Sequence, residues 1–343
     1  MRYIHTGSVH HLRKNFIYLA LCWVTLLVAC QSPVIDKQSF QVSKTEYPEI
    51  TAASTVETNE YFLQERMLLV NEGPGKPSKQ NLWVALISDV PPYQEVVETK
   101  ITPESYRLVT DEYGNQFAEF DFSEMPAGTE VQIQIDYKIN VNSLDYDLSE
   151  CQGELPDFFI SPELHVESNN PQIIELAEEL STGKKSACDQ VRAFYDYIGD
   201  NLVYSFNGNN WGAQAALGEM GADCTEYASL MMALSRAAGI PARYIEGLYT
   251  SAEEGQSMAR MEHAWLEVYL PGIGWTPMDP TLGRSSITRE DYYAAMPPNH
   301  IIVTRGRSPS TLRGSSYFSH IYWPGNSTVI KVQEFGWSIA EME

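Results

Sequence analysis

The chain has 343 residues, 43% of them hydrophobic, with 23 Lys and Arg against 45 Asp and Glu and a net charge of −22. That length can bury one or two sizeable cores. The acidic excess supplies no counter-charge for phosphate, which argues against nucleic acid as a partner and against adhesion to anionic lipid by charge. No phosphate-cradling glycine loop and no zinc-type Cys/His spacing occurs, and His165, His300 and His320 are scattered, so neither a metal nor a cofactor is expected.

Arg2, Arg13 and Lys14 precede an apolar run, Phe16 to Ala29, that is short for a bilayer span and reads as a targeting segment. It ends in Leu27-Val28-Ala29-Cys30, which resembles a bacterial lipobox. The resemblance implies a lipoprotein signal peptide over 1–29 and an acylated Cys30. The expected location is therefore the cell envelope, with export and a membrane tether through lipid. Removing the signal takes three basic side chains and no acidic ones, so the anchor would rest on Cys30 alone. Residues 30–50 are polar and aperiodic and read as the tether. Of the five cysteines, Cys22 leaves with the signal and Cys30 is lipidated. An exported chain can then pair Cys151 with Cys188 and leave Cys224 free, and both the paired and the unpaired state stay open at this point.

From 51 to 150 the pattern is β-rich. Leu82 to Ile87 is a continuous apolar run, Glu95 to Ile101 and Tyr106 to Thr110 follow, and Phe117 to Phe122 comes after a turn at Asp111–Asn115. Val131, Ile133, Ile135, Tyr137, Ile139 and Val141 alternate with polar partners. Short strands punctuated by Gly and Pro suggest a β-sandwich with no catalytic side chain.

Pro171 opens a helix that Gly183 ends, and Asp189 to Leu202 forms another whose apolar stripe is core. The stretch from Tyr204 to Trp211 reads as a loop that would border a cleft at Cys224. Next comes Gly221-Ala222-Asp223-Cys224-Thr225-Glu226-Tyr227-Ala228, with Asp223 as N-cap and Glu226 three residues on to complete a capping box. Gly239 suits the left-handed C-terminal position and Pro241 forbids continuation. Cys224 falls on the first helical residue, where free N–H groups and the helix dipole favour a thiolate and a developing oxyanion.

Arg243 to Tyr249 reads as a strand, and Thr250 to Arg260 as a polar loop. His263 to Leu270 alternates strictly, with His263, Trp265, Glu267 and Tyr269 on one face. A hairpin centred near Pro271 brings Asp279 opposite His263, close enough for a carboxylate to fix the imidazole. Thiol, imidazole and carboxylate together are the parts of covalent acyl transfer.

Gly221–Ala228, Arg236-Ala237-Ala238-Gly239-Ile240-Pro241-Ala242-Arg243, Gly247, His263-Ala264-Trp265, Gly274-Trp275 and Asp279-Pro280-Thr281 closely resemble the transglutaminase-like core, which shares the papain-type architecture. The resemblance runs from about Gln190 to Gly283. It implies Cys224 as nucleophile, His263 as general base and acid, and Asp279 as the residue that holds the imidazole. Tyr204, Trp211 and Gln214 are all open as the oxyanion-stabilising side chain. The expected fold is α+β: an N-terminal β-sandwich over 51–150, a papain-like or transglutaminase-like core over 151–300, and a C-terminal β extension over 301–343. The expected activity is hydrolysis of a peptide or protein substrate at peptide or amide bonds through a thioester. Cross-linking of glutamine to amines and a non-catalytic binding or assembly role are the alternatives, and no calcium loop of the large animal transglutaminases is recognisable.

Overall fold

Alternation of inward and outward side chains writes most of this molecule. The computed structural model describes residues 53–55, 57–77, 80–206, 211–218, 221–250, 262–307, 320–323 and 330–341. The segments expected as signal peptide and tether, with Cys30, and the loop 251–260 lie outside the described residues.

In chain order the strands are β1 (Ala53–Ser54), β2 (Thr58–Asn71), β3 (Asn81–Leu86), β4 (Gln94–Thr102), β5 (Arg107–Thr110), β6 (Gln116–Asp121), β7 (Glu130–Asn142) and β8 (Leu144–Tyr146). The helices α1 (Pro171–Ser181), α2 (Ala187–Asn201), α3 (Ala213–Ala216) and α4 (Cys224–Ala237) follow. The chain closes with β9 (Ala242–Tyr249), β10 (Glu262–Leu270), β11 (Gly274–Met278), β12 (Ala295–Met296), β13 (His300–Arg305), β14 (His320–Trp323) and β15 (Ile330–Glu341).

Two antiparallel sheets, ordered β15-β2-β7-β4 and β14-β3-β6-β5, make the β-sandwich. Tyr61, Leu63, Met67 and Leu69 of β2 are buried, as are Ile133, Ile135, Tyr137, Ile139 and Val141 of β7 and Leu82, Val84 and Phe120 of the second sheet. The longest strand, β2, is not among those expected from the sequence. Glu65 sits in the middle of its buried face, and burial holds its carboxyl well above the usual range, so the apolar alternation is broken by an acid. The stretch expected as a C-terminal extension divides its strands: β13 is an edge of the core sheet, while β14 and β15 complete the two sheets of the sandwich.

The core is built on another antiparallel sheet, β11-β10-β9-β13, with α4 packed on it and α1 and α2 packed on α4. Among α4 residues, Glu226 to Arg236 are all buried, so this helix is the hub of the core. A disulfide joins Cys151 to Cys188 at the start of α2.

Three side chains of the sandwich grip β13. Gln94 accepts from Ile302 N (2.8 Å) and donates to Ile302 O (3.0 Å), as a neighbouring strand would. Asn115 does the same for Arg305, accepting from N at 2.9 Å and donating to O at 2.7 Å. The Tyr93 hydroxyl donates to His300 O at 2.7 Å. Buried amide groups paired in this way carry register from one sheet to another.

The other close fit is at Gly247 on β9. A Cβ there would stand 2.1 Å from Ile301 O and 2.6 Å from Trp265 Cη2. The absent side chain lets Trp265 lie against the backbone between β10 and β13. Gly247→Ala is expected to destabilise the protein by about 3 kcal/mol, because a backbone carbonyl cannot step aside. Urea unfolding measures it, and an unchanged midpoint would contradict this packing.

Candidate active site

Asp223 adopts an extended conformation (φ −100°, ψ −168°) and its side chain accepts from Thr225 N at 3.0 Å. Glu226 reaches back to accept from Asp223 N at 3.1 Å, which completes the box. Burial pushes the Glu226 carboxyl up to about 7. At the far end, Gly239 takes φ 76°, and the buried Arg236 guanidinium donates to Ala242 O and Ser161 O and pairs with Glu163 at 3.0 Å. Both ends of α4 are thus fixed by side chains, and Cys224 begins the helix, half-buried and free of any disulfide.

His263 stands at the start of β10, buried. Its Nε2 lies 2.6 Å from Asp279 Oδ2, and its ring lines the same cavity as Cys224. With Nε2 committed to the carboxylate, Nδ1 is the nitrogen left for sulfur. Burial alone would lower the pKa of His263, but Asp279 and Cys224 together outweigh it and carry the imidazole up to about 10. The ring is therefore an imidazolium at neutral pH.

Asp279 comes directly after β11 and has no exposure to solvent. The turn centre lies one residue later than expected, which shifts the pairing by two residues. Pairing runs Leu270 with Gly274 to Leu266 with Met278, so the turn centres on Gly272 and the pattern continued would set Asp279 against Trp265. The carboxylate reaches His263 diagonally. Its Oδ1 accepts from Thr281 N at 2.9 Å and Leu282 N at 3.0 Å, and Oδ2 accepts from His263 and from a second histidine, His300, at 3.1 Å. Burial works against the anion, yet the two histidines hold this carboxyl well below the usual carboxylate range.

His300 corrects the expectation that the remaining histidines are scattered. It opens β13 opposite Tyr249 and is fully buried. Burial, opposed by Asp279 and reinforced by His263, lowers its pKa and keeps it neutral. The His300 Nε2 lies 3.1 Å from Asp279 Oδ2 and its Nδ1 2.8 Å from Asn299 Oδ1. Nothing local in the sequence marks this residue, because it arrives on a strand placed by the sandwich. His263, Asp279 and His300 also have ligand atoms within 4.8 Å of one another, a geometry that could enclose a metal ion. Donor-to-acceptor hydrogen bonds account for the same cluster.

A cavity of about 670 Å³ opens beside Cys224 and His263. Tyr204 and Phe206 line it, together with Tyr244, Glu246 and Glu262. Phe206 and Tyr204 are exposed side chains at its rim. Burial, partly offset by Arg307 and increased by Glu262, pushes the Glu246 carboxyl up to about 8. Of the three side chains open for the oxyanion role, Tyr204 is in this cavity wall, and burial beside Cys224 raises its pKa. Trp211 instead packs edge-on against His165 at 5.8 Å. Gln214 lies on α3, where its backbone N–H donates to Glu167. Residues 207–210 of that loop, including Gly208, are outside the described residues.

Residues 174–280 match the family model described as the transglutaminase-like superfamily. The segment is a transglutaminase-like core. A structure described as "a Putative Cysteine Protease from Cytophaga hutchinsonii" superposes with a TM-score of 0.60 at 16% identity, covering 85% of this chain and 93% of that one. At that identity the likeness is one of fold. The uncharacterized protein YebA of Bacillus subtilis is 30% identical over 164 residues, 43% of this chain and 21% of its own length. An uncharacterized protein of Haemophilus influenzae is 39% identical over 74 residues, 16% of this chain and 20% of its own. The chain thus spans about a fifth of the length of these curated relatives. The transglutaminase-like core belongs with cysteine-dependent enzymes in fold and family.

These shifts set the sign of each pH dependence. The raised His263 pKa contributes stability that is complete below its unfolded value of about 6.5 and is lost as pH rises through about 10. The lowered Asp279 pKa contributes stability present above about 3.9 that is lost on acidification. NMR titration of the His263 ring is expected to show a midpoint near 10 in the parent protein. In Asp279→Asn it should fall by more than one unit, because the charge that raises it is gone. His300→Phe should shift it less and upward, because the carboxylate then shares its charge with one donor fewer, and His300→Gln should return it, since an amide N–H can replace the imidazole donor. Identical titrations in all four proteins would remove the coupling.

Proposed function

We propose that this protein is an envelope-anchored cysteine acyl-transfer enzyme that hydrolyses peptide or amide bonds. One observation carries the reading: a single imidazole stands 2.6 Å from a carboxylate with no exposure and lines one cavity with a thiol at a helix start. In the proposed reaction the Cys224 thiolate adds to an amide carbonyl carbon, forming a C–S bond. The oxyanion that develops meets the Cys224 N–H at the helix start and the Tyr204 hydroxyl. His263, already protonated, gives its proton to the leaving nitrogen as the C–N bond breaks. Water then attacks the thioester, losing its proton to His263, and the acid departs from sulfur. Asp279 stabilises the imidazolium throughout and is not itself protonated.

The exposed apolar rim supports a polypeptide substrate, which would lay its side chains across Tyr204 and Phe206. A second reading is transfer to an amine, which the same thioester could accept in place of water. If the amine rather than water resolved the thioester, the product would be an isopeptide bond. Export is supported by the lipobox-like Leu27–Cys30 and by the Cys151–Cys188 disulfide, which suits an oxidising compartment.

Incubation with a glutamine-containing peptide and excess primary amine separates the readings. The expected outcome is peptide fragments or free ammonia without amine incorporation, reduced on the order of 10³-fold or more in Cys224→Ala. Incorporation of the amine would establish cross-linking instead, and inertness of the parent protein would leave a binding module. In cells, Cys30→Ala is expected to abolish incorporation of labelled palmitate and to move the protein from the membrane to the soluble fraction. Continued labelling of that variant would refute the anchor.

A further inference from the structure

A second cavity, of about 380 Å³, lies where the sandwich meets the core sheet. Tyr93 and Tyr146 wall it from one side and Trp265 and Trp275 from the core. Three charged side chains also line it: Arg243, Glu267 and Arg305. Two of these satisfy one another. Arg243 Nε donates to Glu267 Oε2 at 2.5 Å, and the same guanidinium lies 4.1 Å over the Trp275 ring. Burial would raise the Glu267 carboxyl, but Arg243 and, at longer range, Arg305 hold it below the usual range, so it stays an anion.

Arg305 is left over. Its Nε is sealed from solvent and has no hydrogen-bond partner. Burial and the neighbouring Arg243 depress its pKa to about 10, which still leaves a full positive charge at neutral pH. Its position is not accidental. Asn115 binds both backbone groups of Arg305, and Asn115 is in turn bonded to Asp111 at 2.8 Å. The fold thus fixes a guanidinium whose Nε has no hydrogen-bond partner at the edge of an apolar chamber. A withdrawn charge with unmade hydrogen bonds is costly unless something arrives to pair with it.

We propose that this cavity binds a small carboxylic acid with an apolar body, its carboxylate on Arg305 and its body between Trp265, Trp275 and Tyr146. The charge count selects the head group. Two guanidiniums against one carboxylate leave a single positive charge, which a monoanion neutralises. A phosphate dianion would overshoot and would also face Glu267. The planar fork of Arg305 suits bidentate pairing with a carboxylate. The volume is within the range of small-ligand pockets, and the predominantly apolar lining, four of its residues aromatic, selects an apolar body.

The site is separate from the Cys224 cleft, and the binding claim stands whether or not the chain is an enzyme. One side chain joins the two places. Trp265 lines this cavity, stacks on His263 with ring centroids 5.8 Å apart, and meets His300 edge-on at 5.0 Å. A bound acid therefore touches the same indole that backs both imidazoles.

Calorimetry on the full-length protein tests the proposal with 3-phenylpropionate as probe, and with 3-phenylpropan-1-ol and 2-phenylethyl phosphate as comparisons. The acid is expected to bind saturably at one site, at least tenfold more tightly than the alcohol or the phosphate. Arg305→Met should weaken the acid at least tenfold and leave the alcohol unchanged. Arg305→Lys, which keeps the charge and the fold, should weaken the acid by a smaller factor through loss of the paired donors. It also serves as the decisive variant if Arg305→Met fails to fold. The proposal is overturned if the acid shows no saturable binding at millimolar concentration or if the alcohol binds as well. Tighter binding of the phosphate, or unchanged binding of the acid by Arg305→Lys, overturns it too.

Discussion

One carboxylate without solvent organises this molecule. Asp279 accepts four hydrogen bonds, two from backbone N–H groups of the turn after it and two from imidazoles on different strands. An isolated buried carboxylate would cost several kcal/mol and would take up a proton. Hydrogen bonds to an ionised group contribute roughly 1.5–3 kcal/mol each, so four of them decide the balance in favour of the anion. Once it is an anion, the protonation of His263 follows, and from that the character of the thiol beside it. The order of causes runs from turn, to carboxylate, to imidazole, to sulfur.

The helix that carries the sulfur is secured independently of that carboxylate. Its first turn is capped reciprocally by Asp223 and Glu226, its last turn is closed by the N–H groups of Ala238, Gly239 and Ile240 and tied to β9 by Arg236, and its whole girth is buried. A short surface helix would fray at its first residue, which is where Cys224 sits. Placement at the centre of the core removes that freedom. The sulfur is thereby held where an N–H of the same turn can meet an oxyanion.

Local signals make much of this legible in the sequence. The capping box, Gly239 and Pro241 mark α4 to within a residue, because caps act over three or four positions. Strict alternation from His263 marks β10. The turn Pro271-Gly272-Ile273-Gly274 announces the hairpin, though the structure centres it one residue later than expected, which changes an opposed contact into a diagonal one. The features that escape such a reading are non-local. His300 reaches Asp279 only because β13 lies beside β9, and nothing within a dozen residues of it says so. Glu65, a buried acid in the inward row, hides β2. The choice among Tyr204, Trp211 and Gln214 depends on how a loop folds over α4, and spacing alone carries no such information.

The sandwich then has a definite physical role. Tyr93, Gln94 and Asn115 bind the backbone of β13 at His300, Ile302 and Arg305. The first of these residues supplies the second histidine on Asp279, and the last supplies a guanidinium that lines the neighbouring cavity. β13 is an edge strand of the core sheet, and edges are where register is least constrained. Side-chain amides that imitate a fifth strand supply that constraint. The two halves are therefore not scaffold and machine joined by a linker. The sheet that lacks reactive side chains sets the position of two residues that the reactive sheet cannot position for itself.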